Sequence, residues 1–115
     1  MDSASGDSVC ILLSFENGSI GTVNYLANGN KGFPKERLEV FCGGSIAQVD
    51  NFRSLKVFGW PGLKSKRLWR QDKGQSDCTQ EFIRAIEQGD PSRLIPFDEL
   101  YEVANACFDV MDQIS

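Results

Sequence analysis

The stretch Arg37-Leu38-Glu39-Val40-Phe41-Cys42-Gly43-Gly44-Ser45-Ile46-Ala47-Gln48-Val49-Asp50 decides the fold. Its first six residues alternate, so Leu38, Val40 and Cys42 share one face of an extended segment. Gly43-Gly44 offers a tight turn, because glycine reaches positive φ without a steric cost. Ser45–Asp50 returns extended, with Ile46 out of phase with Ala47 and Val49. Two short period-two runs joined by two glycines predict an antiparallel hairpin.

Reading outward, the same signals recur. Towards the N-terminus, Ser8–Phe15 mixes β-branched, aromatic and apolar residues. Glu16-Asn17-Gly18-Ser19 follows, a turn with Asn-Gly at its centre, and Ile20–Ala27 completes a second hairpin. Residues 1–7 are small and polar and predict a flexible lead-in. Residues 28–34 hold two glycines and a proline and predict a loop. Towards the C-terminus, Leu55–Gly59 and Lys66–Gln71 are further strands, separated by a turn at Trp60-Pro61-Gly62. Beyond Ser76 the period changes. Cys78, Phe82, Ile83 and Ile86 recur at helical spacing, with Ser76 as N-cap, Asp77 in the first turn and Gly89 as the stop. A second helix is expected from about Pro96, with an apolar stripe of Leu100, Val103, Ala104, Cys107, Met111 and Ile114. That stripe must lie on something apolar. The expectation is therefore α+β, a single domain over residues 8–115: an open, mainly antiparallel sheet of about six strands, then two C-terminal helices packed on one face. Ser8–Phe15 is apolar on both sides, so the other face is expected to meet another domain or another copy of the chain.

Composition bounds the function. A 115-residue chain of this mass, 12.8 kDa, suits one domain. Surface scaling, about 6,300 Å² folded against about 18,600 Å² unfolded, leaves room for a core without metal or disulfides. Histidine is absent, which removes a His-based triad, a His general base and a Cys₂His₂ zinc site. Cys10, Cys42, Cys78 and Cys107 form no C-x-x-C pair and read as buried free thiols of a reducing cytoplasm. No apolar run approaches a membrane span.

Net charge is −4, unevenly spread. Residues 31–73 carry ten bases and four acids, whereas residues 76–115 carry nine acids and two bases. A basic middle beside an acidic end suits internal pairing or an anion-facing surface, and the overall acidity argues against general nucleic-acid binding. Neither a G-x-G-x-x-G nor a P-loop spacing occurs. Two segments stand out. Asn24–Arg37 combines amides, a glycine loop and the cations Lys31, Lys35 and Arg37, able to hold a phosphate or carboxylate and hydroxyls. Arg53–Lys73 holds seven bases, one acid and the aromatics Phe58, Trp60 and Trp69. An ordinary solvated loop and strand face account for the same residues, so both readings stand here.

The run N-Y-L-A-N-G-N-K-G-F-P-K-E-R-L-E-V-F-C-G-G, Asn24–Gly44, resembles the C-terminal domain of Gfo/Idh/MocA-type oxidoreductases, in particular a subgroup linked to surface-polysaccharide and nucleotide-sugar metabolism. F-E-N-G-S-I-G over residues 15–21, A-Q-V-D-N-F over 47–52, Q-D-K-G over 71–74 and I-P-F-D-E-L over 95–100 follow in the family's order. The resemblance covers roughly residues 8–114. It implies a parent with a Rossmann domain binding NAD(P), a catalytic lysine in Glu-Lys-Pro and an Asp-x-x-x-His helix. None of these motifs stands in this sequence. The chain thus resembles the last part of such an enzyme, partial and inactive alone, with no catalytic, cofactor-binding or metal-binding residue of its own. The resemblance implies substrate contact and oligomerisation through the sheet face. The expected substrate-binding residues are Asn28, Lys31, Lys35, Arg37, Trp60 and Arg70, and the expected ligand is a sugar or nucleotide sugar. The parent's location is expected to be cytoplasmic, with neither nucleic acid nor membrane as partner. The competing reading is a freestanding module that recruits an acidic protein or phosphorylated ligand through its basic 31–73 segment.

Overall fold

A computed structural model describes residues 8–115, so the lead-in expected over residues 1–7 lies outside the described residues. The chain holds β1 (Ser8–Ser14), β2 (Ile20–Leu26), β3 (Arg37–Cys42), β4 (Ser45–Asp50), β5 (Ser54–Phe58), β6 (Lys66–Arg67), α1 (Gln75–Gln88) and α2 (Phe97–Ile114). This is the expected α+β chain of antiparallel strands followed by two helices. The strands stand in two sheets, β1-β2 and β3-β4-β5-β6, rather than one. The break falls in the glycine-rich loop before β3, where Pro34 has no N–H to give to a ladder.

The chain divides into two compact units where the sequence reading carries one domain over 8–115. One comprises residues up to Phe33 together with Phe97–Ser115; the other is Pro34–Pro96. In the first unit, β1 pairs β2 from Ser8 opposite Leu26 to Ser14 opposite Ile20. Val9, Ile11 and Leu13 are half-buried, while the alternate residues, Leu12 among them, are exposed. The turn differs from the simplest Asn-Gly form. Gly18 alone takes positive φ, at 83°. Its N–H donates to the Phe15 carbonyl at 2.9 Å, and the Phe15 N–H donates to the Ser19 carbonyl at 2.9 Å. The Asn17 side chain accepts from the Ser19 N–H at 2.9 Å, which holds Asn17 ahead of the glycine rather than beside it in the left-handed region.

In the second unit, β3 and β4 pair from Arg37 opposite Asp50 to Cys42 opposite Ser45. Gly43 and Gly44 join them at φ of 54° and 82°, the two-residue left-handed turn expected from the glycines. β5 adds to β4 and the short β6 adds to β5. The last strand is two residues long, against six expected over Lys66–Gln71. Beyond Arg67 the chain leaves the ladder to bond the β4–β5 turn, as described below.

Helix α1 begins at Gln75, two residues ahead of the start that a Ser76 N-cap implies, so Ser76 falls inside the helix and does not cap it. Gly74, at φ 73°, takes the N-cap position with no side-chain cap. The other end follows expectation. Gly89 is left-handed at φ 62°, its N–H donates to the Ile86 carbonyl, and the Asp90 N–H reaches back to the Ala85 carbonyl at 3.1 Å. Those two bonds satisfy carbonyls that the helix end leaves open.

Two packing expectations need correction. Helix α2 belongs to the compact unit of β1 and β2, and α1 to that of the four-stranded sheet. Among the described residues none is buried, and no core forms. Phe82, Ile83 and Ile86 of α1 and Leu100, Val103 and Met111 of α2 all remain exposed. The four cysteines are free, as expected, but exposed rather than buried. The cause is the same: a thiol in an apolar pattern is buried only if a second layer covers it. No helix among the described residues is long and apolar enough to cross a membrane.

Candidate functional site

In an antiparallel pair, directly opposed residues project to the same side, so the register assigns both faces of the four-stranded sheet. One face carries Leu38, Val49, Leu55 and, at the β6 edge, Lys66 in one rank, and Val40, Ala47 and Val57 in the next. It is apolar apart from Lys66 at its edge. The opposite face is built of polar ranks. Arg37, Asp50, Ser54 and Arg67 form the first, and Glu39, Gln48 and Lys56 the second, before a third rank of Phe41, Ile46 and Phe58. Within the first rank, Arg37 Nε donates to Asp50 Oδ1 at 2.7 Å. Within the second, Gln48 Nε2 donates to Glu39 Oε1 at 2.7 Å. The polar face is thus internally bonded on the β3–β4 side and cationic on the β5–β6 side.

A groove of about 590 Å³ opens along the β5–β6 edge, lined by residues of both faces, Leu55 and Lys66 from one and Lys56 and Arg67 from the other. Its lining includes Asp50, Arg53, Ser54, Lys56, Lys66 and Arg67. Among the described residues none of these four cations pairs with a carboxylate. Arg53 is nonetheless held in place. Its Nε donates to the Leu68 carbonyl at 3.2 Å, and its own carbonyl accepts the Leu68 N–H at 2.8 Å. Ser65 accepts the Val57 N–H on Oγ at 3.0 Å, continuing the β5 edge past the end of β6.

The β4–β5 turn beside this groove is clamped. Asn51 and Phe52 both sit at φ 50°, a conformation that costs a bulky residue about 1–2 kcal/mol. Their backbones are held by other segments. The Asn51 N–H donates to the Glu36 carbonyl at 2.6 Å, and the Asp72 N–H donates to the Phe52 carbonyl at 3.0 Å. Gln71 Nε2 bonds both the Asn51 carbonyl and its Oδ1, at 3.0 and 2.9 Å. Lys73 pairs with Glu36 and stands over the Phe52 ring. These bonds explain why the chain quits the sheet after Arg67.

The expected substrate residues are distributed over this frame. Asn28 and Lys31 belong to the first unit, and Lys35, Arg37, Trp60 and Arg70 to the second. Arg37 is engaged with Asp50, Trp60 is half-buried in the turn after β5, and Arg70 is exposed beyond β6. None of the six lines the groove. The groove's own cations, Arg53, Lys56, Lys66 and Arg67, lie in the basic segment that the sequence marks without ranking its members. Strand parity around Ser54–Lys56 was the available signal for Lys56, whereas Arg67 needed the β5–β6 register. Among the described residues no group of three or more Cys, Asp and Glu side chains is placed to hold a metal ion. Compared with protein-family models, curated proteins and solved structures, the chain finds no match.

Proposed function

We propose that this chain is the substrate-binding and oligomerisation part of an NAD(P)-dependent sugar or nucleotide-sugar oxidoreductase of the Gfo/Idh/MocA type, cytoplasmic, tied to polysaccharide biosynthesis and inactive in hydride transfer by itself. The observation that supports this reading is the difference between the two faces of the four-stranded sheet. One face carries two polar ranks with cations before its Phe41 rank; the other is apolar apart from Lys66 at its edge, with Leu38 and Val40 left exposed. A surface that meets sugar hydroxyls and phosphate needs the first, and a surface that joins a second body needs the other. The order of the sequence motifs supports the same reading. The residues present do not suit the nicotinamide cofactor. The segment Asp72-Lys73-Gly74 that leads into α1 has a single glycine and follows no strand directly, so no cradle for a pyrophosphate is formed there. No hydride-transfer step belongs to this chain, and its contribution is to hold and orient substrate.

Sedimentation velocity at micromolar concentration tests the proposal, with NADH fluorescence titration beside it. The expected result is self-association without saturable NADH binding. A strictly monomeric chain at high concentration, or NADH saturation at micromolar ligand, overturns it. A second reading, a freestanding module for a phosphorylated ligand, is favoured by one observation: all four groove cations come from residues 53–67 of one compact unit. Monomeric behaviour together with anion binding would select it.

A further inference from the structure

We infer that the groove along β5 and β6 is a binding site for a small phosphorylated ligand, with Lys56 and Arg67 as its principal contacts and Arg53 and Lys66 completing the cationic rim. The inference deepens the ligand-binding reading above and rests on it in that one respect. Lys56 and Arg67 lie in adjacent ranks of the same sheet face, Lys56 across from Gln48 and Arg67 across from Ser54. The Arg53 guanidinium is anchored through Nε to the Leu68 carbonyl, which leaves its terminal nitrogens without a partner among the described residues. Asp50, the one carboxylate of the lining, has its charge offset by Arg37 at 2.7 Å. The lining therefore holds four cations against one paired carboxylate, within a chain whose net charge is −4. Two serines add hydroxyls. Ser65 accepts a backbone N–H on its oxygen and keeps its own proton to donate, and Ser54 lies in the Arg67 rank.

Charge and volume select the ligand class. A lone carboxylate would leave most of this charge uncompensated, whereas a phosphate or diphosphate brings two or more negative charges and several acceptor oxygens. Arg67 can engage two phosphate oxygens through its planar fork, while Lys56 acts as a point charge. A volume of about 590 Å³ falls within the range that small ligands occupy. A nucleic-acid strand would require a longer basic track, and the acidic residues 76–115 argue against one.

The test is an amide chemical-shift titration with inorganic pyrophosphate, repeated with inorganic phosphate and with an uncharged sugar. Saturable shifts are expected at residues 53–56 and 65–67 with pyrophosphate, weaker ones with phosphate and none there with the sugar. Lys56→Gln and Arg67→Gln are each expected to weaken pyrophosphate about tenfold. Asp50→Asn is expected to tighten it about threefold, because it removes a carboxylate and frees Arg37. That gain cannot come from unfolding. Raising salt should weaken binding, as the groove is open to solvent. Shifts confined to residues 28–35, or unchanged affinity in both Gln variants, overturn the inference. The oxidoreductase reading fails separately, through monomeric behaviour or NADH binding, and neither outcome depends on the pyrophosphate titration.

Discussion

Lys73 Nζ lies 2.8 Å from Glu36 Oε1 and so ties the segment that enters α1 to the residue before β3. The same ammonium stands 5.7 Å from the centroid of the Phe52 ring. Glu36 also accepts the Asn51 N–H on its backbone carbonyl. One carboxylate and one ammonium thus brace a left-handed turn that Phe52 by itself would disfavour. Both side chains are 38% exposed, which limits the strength of the pair. A double-mutant cycle with Glu36→Gln and Lys73→Met should give a coupling of about 0.5 kcal/mol by urea denaturation. A coupling above about 2 kcal/mol would mean the pair is far better shielded than this geometry places it.

Phe52→Gly tests the strain in the turn. The substitution relieves the cost of φ 50° at a bulky residue and puts a glycine directly after Asn51, a favoured left-handed pair. It also removes the ring beneath Lys73, a loss of about 0.5–1 kcal/mol. The expected net effect is a small gain in stability, up to about 1 kcal/mol, read as a higher urea midpoint. A clear fall in the midpoint would show that ring contacts outweigh backbone strain.

Gly89→Ala tests the end of α1. The glycine sits at φ 62°, with nothing within 4 Å of an added Cβ, so crowding plays no part and the backbone conformation alone sets the cost. A loss of about 1 kcal/mol is expected, with lower helical signal by circular dichroism. Full retention of both would mean that the Gly89 and Asp90 hydrogen bonds do not hold the helix end.

Asp90 closes a local hydrogen-bonded turn just after α1. Its carboxyl is held below its ordinary value of 3.8, first by the Ser92 backbone N–H and then by the Ser92 hydroxyl. The Ser92 N–H donates to Asp90 Oδ1 at 3.0 Å. A carboxyl with a lowered folded value stabilises the folded state above its ordinary value and loses that contribution as pH falls through the lowered one. The turn after α1 should therefore loosen only on acidification below pH 3.8. An NMR titration should place the Asp90 midpoint under that value, and Ser92→Ala should move it back upward. An unshifted midpoint in the unsubstituted chain contradicts the geometry.

Local chemistry was legible in the sequence to different depths. Arg37–Asp50 appears as written, because alternation on either side of two glycines leaves little freedom in register. The C-terminal end of α1 was equally readable, since glycine at C′ acts through its own backbone. Its start was not. Asp72 Oδ1 accepts the Gly74 N–H at 2.8 Å and forms a local turn that admits the helix two residues early. β6 is shorter than its residue pattern suggests because Leu68 to Asp72 bond to the Asn51–Arg53 turn, a contact between residues about twenty positions apart that periodicity does not encode.

The candidate groove divides in the same way. The sequence by itself determined a basic middle segment, six antiparallel strands and two amphipathic helices, because charge, alternation and turn residues act over a few neighbours. Only the tertiary structure decided which cations are paired and which line a common groove. Arg37 is neutralised by Asp50 and Lys73 by Glu36, whereas Arg53, Lys56, Lys66 and Arg67 remain on the groove. The structure also decided that the strands split into two sheets and that the apolar faces stay uncovered within each unit. The physical reason is that pairing and burial depend on strand register and on what a face meets, and both are set by contacts distant in sequence.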